Sequence, residues 1–338
     1  MGVKLAGGYG MPPEWTLGRV FTEWTLEPVV AAVAVLALAG YLLGVARLRR
    51  SGEPWARGRT VAFGSGVALW VFTTCSGIGV YERVLFTDRA VQAVVLLMVV
   101  PLLLAMGAPV TVLAEGFGGR HRDRLLAALR GRVSKVLMFP LVSTVLLVVP
   151  PWLLYFTSWY RLSLTTDLYN VLFHVGFVAF GLAYFWPRLQ IDPVGRHYHP
   201  MIGVVITVAE VIFDAALGFI LVFGSHLLVP DYWAALARPW GMSAQQDQSW
   251  GGAVLWGLGD IAGIPFMVAL IVRVIREERV RTVQVDRELD AQEAAEAAAE
   301  VVVAAAGVTE KTDAAEAPAE QERPWWETDP RFAGRYGK

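Results

Sequence analysis

About seven stretches of this sequence are apolar, almost free of charge and close to the roughly 20 residues that a helix needs to cross a bilayer. They have no period-two alternation, which favours helices over the strands of a membrane barrel. Overall the chain is 55% hydrophobic and 17% charged, whereas soluble domains carry roughly a quarter of charged residues. The sequence therefore predicts an all-α membrane protein, a bundle of about seven transmembrane helices, with spans near 28–46, 60–80, 90–113, 136–156, 167–187, 201–229 and 250–273.

Basic residues are concentrated in alternate connections between these spans. The first, third and fifth connections and the segment after the last span hold most of them, among them Arg47, Arg49, Arg50, Arg57, Arg120, Arg122, Arg124, Arg188, Arg196, Arg273, Arg276 and Arg279. Basic connections stay cytoplasmic, so the N-terminus is predicted outside and the C-terminus inside. We expect a multi-pass protein of the cell (plasma) membrane, with an extracytoplasmic segment 1–27, a membrane domain 28–275 and a cytoplasmic tail 276–338.

The predicted tail changes character along its length. An alanine- and acid-rich stretch with good helix formers comes first, and a polar, acidic and proline-containing stretch follows, which is typical of disorder. The segment WWETDPRF at 325–332 then places aromatic residues on a polar tail. Two readings stay open for these aromatics, a docking peptide for a partner protein and association with lipid.

Several functional classes are disfavoured. A net charge of −1 gives no bulk attraction to nucleic acid. The single cysteine cannot form an intrachain disulfide, and no zinc-binding pattern can be assembled. No HExxH, Walker A or GxSxG motif is present, so we do not expect an enzyme.

Ionisable residues inside the predicted spans are the main functional signal, because each costs roughly 2.5–3.5 kcal/mol at the bilayer centre. Span six carries Glu210 and Asp214, which share one helix face because they are four residues apart. Span five carries His174, span seven carries Asp260, and Cys75 lies in span two. Arg89 marks the entry of span three.

Three interpretations of these residues compete. A metal site, for copper above all, would use His174 and Asp214 with Cys75 or His226. A proton or cation pathway would use the carboxylates of Glu210, Asp214 and Asp260. The third interpretation is polar contact between helices, in which Arg89 pairs with Asp214 or Glu210, and His174 bonds to Asn170 or to a backbone carbonyl.

Four motifs resemble the seven-span, CtaG-like cytochrome c oxidase assembly family of the actinobacterial type. They are SGIGVY at 76–81, PLLLAMGAP at 101–109, FWPRLQIDP at 185–193, and the stretch 231–260 with its DQxxGGxxxW core. The resemblance covers about residues 15–280. It implies a role in copper delivery to, or maturation of, a respiratory terminal oxidase on the outer side of the membrane, with an oxidase subunit and the lipid bilayer as partners.

The chain departs from the family pattern at the histidines that the resemblance implies as metal-handling residues. Where the family resembles HMxQH in span three, this chain has Arg89 and Ala93. In span five, HxxxHxH is replaced by Asn170, His174 and Gly176. In span six, Asp214 stands where a histidine is typical. We therefore expect an Arg89–Asp214 ion pair in the place of the metal.

The functional hypotheses are ordered accordingly. The first is an accessory or assembly protein of the oxidase, with a link to copper. The alternative is a divergent, metal-free paralogue that acts as a membrane scaffold. A proton or cation carrier built around Glu210, Asp214 and Asp260 is the third.

Overall fold

The computed structural model describes residues 11–117, 140–189 and 200–307, together with isolated positions between 119 and 139. These residues are mostly helical, and the extended pairing among them is one antiparallel bridge between Trp24 and Ser76. The predicted all-α class is confirmed for this part of the chain. Segment 325–332, with its predicted aromatic docking role, lies outside the described residues.

The helices are numbered here in chain order. They are α1 Arg19–Thr22, α2 Pro28–Arg50, α3 Arg57–Cys75, α4 Gly77–Tyr81, α5 Phe86–Val94, α6 Val100–Met106, α7 Pro109–Phe117, α8 Pro140–Phe156, α9 Ser158–Thr165, α10 Asp167–Leu189, α11 Pro200–Phe223, α12 Pro230–Leu236 and α13 Ala244–Gly307. A π-helical turn, Val95–Val99, joins α5 to α6.

Three helical stretches of the described chain are long and apolar enough to cross a membrane: Pro28–Arg50, Phe86–Phe117 and Asp167–Leu189. A fourth crossing is possible if Leu141–Phe156 and Ser158–Thr165, which are bent by 74° at Thr157, are one broken span. The protein is therefore a membrane protein. The seven-span topology and the orientation of the termini stay predictions.

The stretch from Phe86 to Phe117 is irregular at its centre. Pro101 cannot donate a backbone hydrogen bond, so the helix loses its regular pattern one turn earlier, and the π-helical turn Val95–Val99 lies there. Helix α10 passes close to this point through Gly181. A Cβ atom at that position would clash with the carbonyl oxygen of Leu97 and the ring of Pro101, so only glycine permits this approach.

Packing places the irregular stretch at the centre of the bundle. Helix α6 contacts α3 and α10, α7 contacts α2, and α8 contacts α10 and α11. The segment before α2 lies against the same bundle: the hydroxyl of Tyr81 donates to the carbonyl of Pro13 at 2.8 Å, and the indole of Trp240 donates to Pro12 at 3.1 Å. The backbone N–H of Thr25 donates to the carbonyl of Cys75 at 2.7 Å.

The chain divides into two compact units, 1–274 and 275–338. The first holds every helix up to the middle of α13. In the second, the described residues 275–307 are helical, with acidic and alanine-rich sequence and mostly exposed side chains.

Candidate functional site

A buried carboxylate, Glu82, lies in the short connection between α4 and α5 and is fully shielded from solvent. Two side chains of α10 bind its two oxygens. The amide of Asn170 donates to Oε1 at 2.5 Å, and Nε2 of His174 is 2.8 Å from Oε2. Because Asn170 and His174 are one helical turn apart, they face the carboxylate together.

Two arginines supply the opposite charge. A guanidinium nitrogen of Arg89 lies 3.7 Å from Oε1 of Glu82, and Nε of Arg83 lies 3.9 Å from the same oxygen. Arg83 also donates to Asp167 at 2.9 Å. We call Glu82, Arg83, Arg89, Asn170 and His174 the Glu82 cluster.

Arg89 is fully buried and its guanidinium lies over the ring of Phe173, 4.6 Å from the ring centre. None of its three guanidinium nitrogens hydrogen-bonds to a residue that the structure describes. Its charge is balanced by the Glu82 carboxylate and the aromatic ring instead. Arg89 is therefore fixed by charge and packing, and it is the largest fully buried side chain in the described chain.

The charges set the ionisation of Glu82, which lies outside the helices that can cross a membrane. Burial by itself raises the pKa of this carboxyl, but the charges of Arg89, His174 and Arg83 and the hydrogen bond with His174 outweigh it. The net effect holds the pKa of Glu82 well below its usual range. The carboxylate is thus kept ionised by its neighbours.

A second carboxylate, Asp247 on α13, positions the helix that carries Arg89. Its oxygens accept hydrogen bonds from the backbone N–H groups of Phe86 at 2.8 Å and Thr87 at 3.1 Å, and from the hydroxyl of Thr87 at 2.7 Å. Arg238 lies 3.4 Å from the same carboxylate. Asp247 therefore acts as an N-cap for α5 from another helix.

The residues around Asp247 explain the DQxxGGxxxW motif. The side chain of Gln248 accepts from the backbone N–H of Leu228 at 2.7 Å and donates to the carbonyl of His226 at 2.9 Å. A Cβ atom on Gly251 would clash with the ring of Phe86. The motif holds the connection after α11 and the start of α5 against α13.

Helix α12 contributes one more contact to the Glu82 cluster. The hydroxyl of Tyr232 donates to the carbonyl of Arg83 at 2.7 Å. Burial raises the pKa of Tyr232 to about 12, so this hydroxyl keeps the proton that it donates.

A second polar region lies between α11 and α13. Glu210, Asp214 and Asp260 line one cavity of about 250 Å³, whose other walls include Met98 and Tyr184. We call it the carboxylate cavity. Its two sides differ, because Glu210 is paired and the two aspartates are not.

Glu210 accepts a 2.5 Å hydrogen bond from the hydroxyl of Tyr184 and an ion pair from Arg188 at 2.9 Å. Arg188 also donates to the hydroxyl of Thr144 at 2.8 Å. Among the described residues, neither Asp214 nor Asp260 has a hydrogen-bond or ion-pair partner.

The expected Arg89–Asp214 ion pair is wrong. Arg89 pairs with Glu82, while Asp214 lines the carboxylate cavity beside Met98. No ion pair joins Arg89 to Asp214, both of which the structure describes, and each has its own surroundings.

The predicted site residues fall into separate places. Arg89, Asn170 and His174 belong to the Glu82 cluster, whereas Glu210, Asp214 and Asp260 line the carboxylate cavity. Cys75 is buried at the end of α3, with its sulfur 3.7 Å from the hydroxyl of Thr74. In the part of the chain that the structure describes, no three His, Cys, Asp or Glu side chains are grouped so that they can hold a metal ion.

Sequence reasoning missed Glu82, Arg83 and Asp247. Glu82 and Arg83 stand two and three residues beyond the predicted end of span two, so the sequence places them in a connection. The available signal was the pair of acid–base dipeptides, Glu82–Arg83 and Asp88–Arg89, within one short connection between two apolar stretches.

Residues 39–277 match the model of the family described as cytochrome c oxidase caa3 assembly factor. The chain belongs to this family. The match covers α3 to α12 completely and about half of α2, and it includes both the Glu82 cluster and the carboxylate cavity, so the resemblance seen in the sequence motifs is confirmed.

Similar proteins are found in mycobacteria. An uncharacterized protein of Mycobacterium bovis and one of Mycobacterium tuberculosis are each 31% identical over 292 residues, and one of Mycobacterium leprae is 28% identical over 290 residues. Each alignment covers 84% of this chain and 44% of the relative. The chain thus spans less than half the length of these relatives. No solved structure matches it.

Proposed function

We propose that the protein takes part in the assembly of a respiratory cytochrome c oxidase as a non-catalytic scaffold in the plasma membrane, without binding copper itself. The family supports the assembly role. The scaffold role rests on one observation: the residues at the family's histidine positions in α5 and α10, Arg89 and Asn170, are bound in an ion-pair cluster around Glu82.

The chemistry of this cluster does not suit copper. The Nε2 atom of His174 is engaged by Glu82, and two guanidinium groups lie within 4 Å of the same carboxylate. A metal cation placed there would be repelled by both. Cu(I) also prefers thiolate, thioether or imidazole ligands, and His174 is the only imidazole in the cluster as described.

A copper-linked role is the alternative that one observation favours. The second ring nitrogen of His174, Nδ1, is buried and has no hydrogen-bond partner among the described residues. If copper is bound, this nitrogen is the ligand atom that remains for it.

Deletion and metal analysis test both forms of the proposal. Deleting the gene should lower cytochrome c oxidase activity in isolated membranes, and the full chain should restore it. The purified chain, incubated with Cu(I) and passed through a desalting column, should retain far less than one copper per chain. His174→Ala should leave that value unchanged, as should the exposed control Glu278→Gln. One copper per chain, lost in His174→Ala, would establish the copper-linked role instead, and unchanged oxidase activity after deletion would reject the assembly role.

A proton or cation carrier is a second candidate function, favoured by the three carboxylates that share the cavity. In sealed vesicles, a carrier would produce a proton or sodium flux that Asp214→Asn abolishes. The scaffold role predicts that Asp214→Asn leaves the proton or sodium flux unchanged from that of the original chain.

The proposed topology has seven spans, with residues 1–27 outside and residues 276–338, including the aromatic segment 325–332, in the cytoplasm. Labelling of single cysteines in a Cys75→Ser background tests it. A membrane-impermeant maleimide should reach Glu14→Cys in intact cells and should reach Glu278→Cys only after the membrane is opened. Labelling of both in intact cells would contradict the proposed orientation.

A further inference from the structure

The described residues do not supply enough positive charge to balance the carboxylates of the carboxylate cavity. Arg188 neutralises Glu210, which leaves Asp214 and Asp260 without a hydrogen bond or an ion pair among the described residues. Both lie in predicted spans, six and seven, where an unpaired carboxylate is costly and normally has a partner. The cavity therefore lacks a positive charge.

The cavity is open towards the apolar surface of the bundle. Two of its walls, Val211 and Ile264, are 45% and 57% exposed, and Asp260 is exposed as well. Other walls are apolar, namely Met98, Leu147 and Phe185. An aliphatic stem would contact these walls while a charged head group reaches the aspartates, as basic side chains do at polar sites in membranes.

Two glycines of α13 line the same cavity with the spacing that brings transmembrane helices together. Gly259 and Gly263 are four residues apart and lie on one face. A Cβ atom on Gly259 would meet no atom within 4 Å, and one on Gly263 would meet only the end of Met98, at 3.9 Å. Gly259 is buried and Gly263 is half-buried, so these glycines leave room inside the cavity for an entering side chain.

We propose that the carboxylate cavity is the docking site for a transmembrane helix of a partner protein that carries a lysine or arginine within the bilayer. The basic side chain enters between α11 and α13 and pairs with Asp214 and Asp260, while the partner's helix packs on α13 beside Gly263. This inference rests on the proposed assembly role, because that role identifies the partner helix as part of an oxidase subunit. A bare metal ion fits less well, because no three His, Cys, Asp or Glu of the described chain are grouped to hold one.

The test uses the full chain in phosphatidylcholine vesicles and a dansyl-labelled leucine-rich transmembrane peptide with one lysine at its centre. Energy transfer from the protein's tryptophans, Trp256 on α13 among them, to the dansyl group reports association. The matched peptide carries glutamine in place of lysine. The lysine peptide should bind at least about tenfold more tightly, the smallest effect typical of close charge pairs at interfaces.

Two variants separate charge from shape. Asp214→Asn with Asp260→Asn should abolish the preference for lysine, and it removes charges that have no partner in the described chain, so folding should be preserved. Gly259→Leu should weaken both peptides, because it fills the groove and leaves the carboxylates in place. Glu278→Gln, exposed on the same helix outside the cavity, should change neither.

Equal affinity of the lysine and glutamine peptides would overturn the proposal, as would a preference that survives the double Asn variant. Loss of lysine-peptide binding when phosphatidylethanolamine is added would assign the cavity to a lipid amine. Loss of binding when Cu(I) is added would assign the cavity to a metal. Either outcome would overturn the proposal that a helix occupies it. The peptide assay contains no oxidase and tests only the docking site. The assembly role is tested separately, by oxidase activity after gene deletion, so the two proposals can fail independently.

Discussion

The Glu82 cluster and the carboxylate cavity both place ionisable groups inside a membrane protein, but they treat charge in opposite ways. In the cluster, Glu82 is fully buried and faces two arginines, a histidine and an amide. In the cavity, Asp214 and Asp260 have no partner among the described residues, and both line open space. The contrast separates charges that are paired within the fold from charges that have no partner in the described chain.

The largest effect should come from breaking the cluster. Glu82→Gln leaves Arg89 buried without its counter-charge, while Arg83 keeps Asp167, so the free energy of unfolding should fall by about 3–5 kcal/mol. Denaturant unfolding of the purified chain in detergent micelles measures this. Arg89→Met added to Glu82→Gln should recover part of the loss, because it removes the stranded charge. A loss below about 1 kcal/mol would mean that the cluster does not hold the fold.

Acid should remove the same contribution over a defined pH range. The pKa of Glu82 is lower in the folded chain than in the unfolded one, so its stabilising effect is complete above its unfolded pKa and is lost as the pH falls through the folded one. The difference in unfolding free energy between the original chain and Glu82→Gln should therefore shrink as the pH falls below roughly 4, close to the ordinary pKa of glutamate. A difference that does not shrink below roughly pH 4 would contradict this assignment.

The cap on α5 should have an intermediate effect. Asp247→Ala removes the acceptor for the N–H groups of Phe86 and Thr87, and loss of an N-cap costs about 1–2 kcal/mol. Asp247→Asn keeps one oxygen and should cost about half as much. Urea or guanidinium unfolding of both variants gives the comparison. Equal stability of Asp247→Ala and the original chain would show that α5 does not need this cap.

The smallest effect should come from the cavity. Asp214→Asn removes an unpaired carboxylate, so the free energy of unfolding should stay within about 0.5 kcal/mol of the original or rise. The same unfolding assay applies, with Glu82→Gln as the destabilised reference. A loss above about 2 kcal/mol would place Asp214 with the structural charges and remove the contrast between the two regions.

The sequence was sufficient for the helical class and for the family, because long apolar runs and motifs such as DQxxGGxxxW are local. It also placed Glu210 and Asp214 on one face, since a spacing of four residues fixes this in any helix. Both residues do line the same cavity.

The pairing between helices could not be predicted from the sequence. Arg89 and Asp214 both stand where the family resemblance implies histidines, but which side chains meet depends on the depth and rotation of packed helices. Glu82 lies in a connection, where charges are ordinarily solvated, so the sequence alone does not indicate its burial. That burial depends on α10, which supplies Asn170 and His174 from 88 and 92 residues away.

The π-helical turn Val95–Val99 lies between Arg89 and Pro101, the residue that Gly181 approaches. It sets how far one half of this span is rotated about the helix axis relative to the other half. Each residue added to a helix turns everything beyond it by about 100°. A regular α-helix with one residue fewer here could not direct Arg89 towards Glu82 and Met98 towards the cavity at the same time. A single-residue deletion within this turn would therefore turn either Arg89 away from Glu82 or Met98 away from the cavity, even though no side chain of either region had been changed.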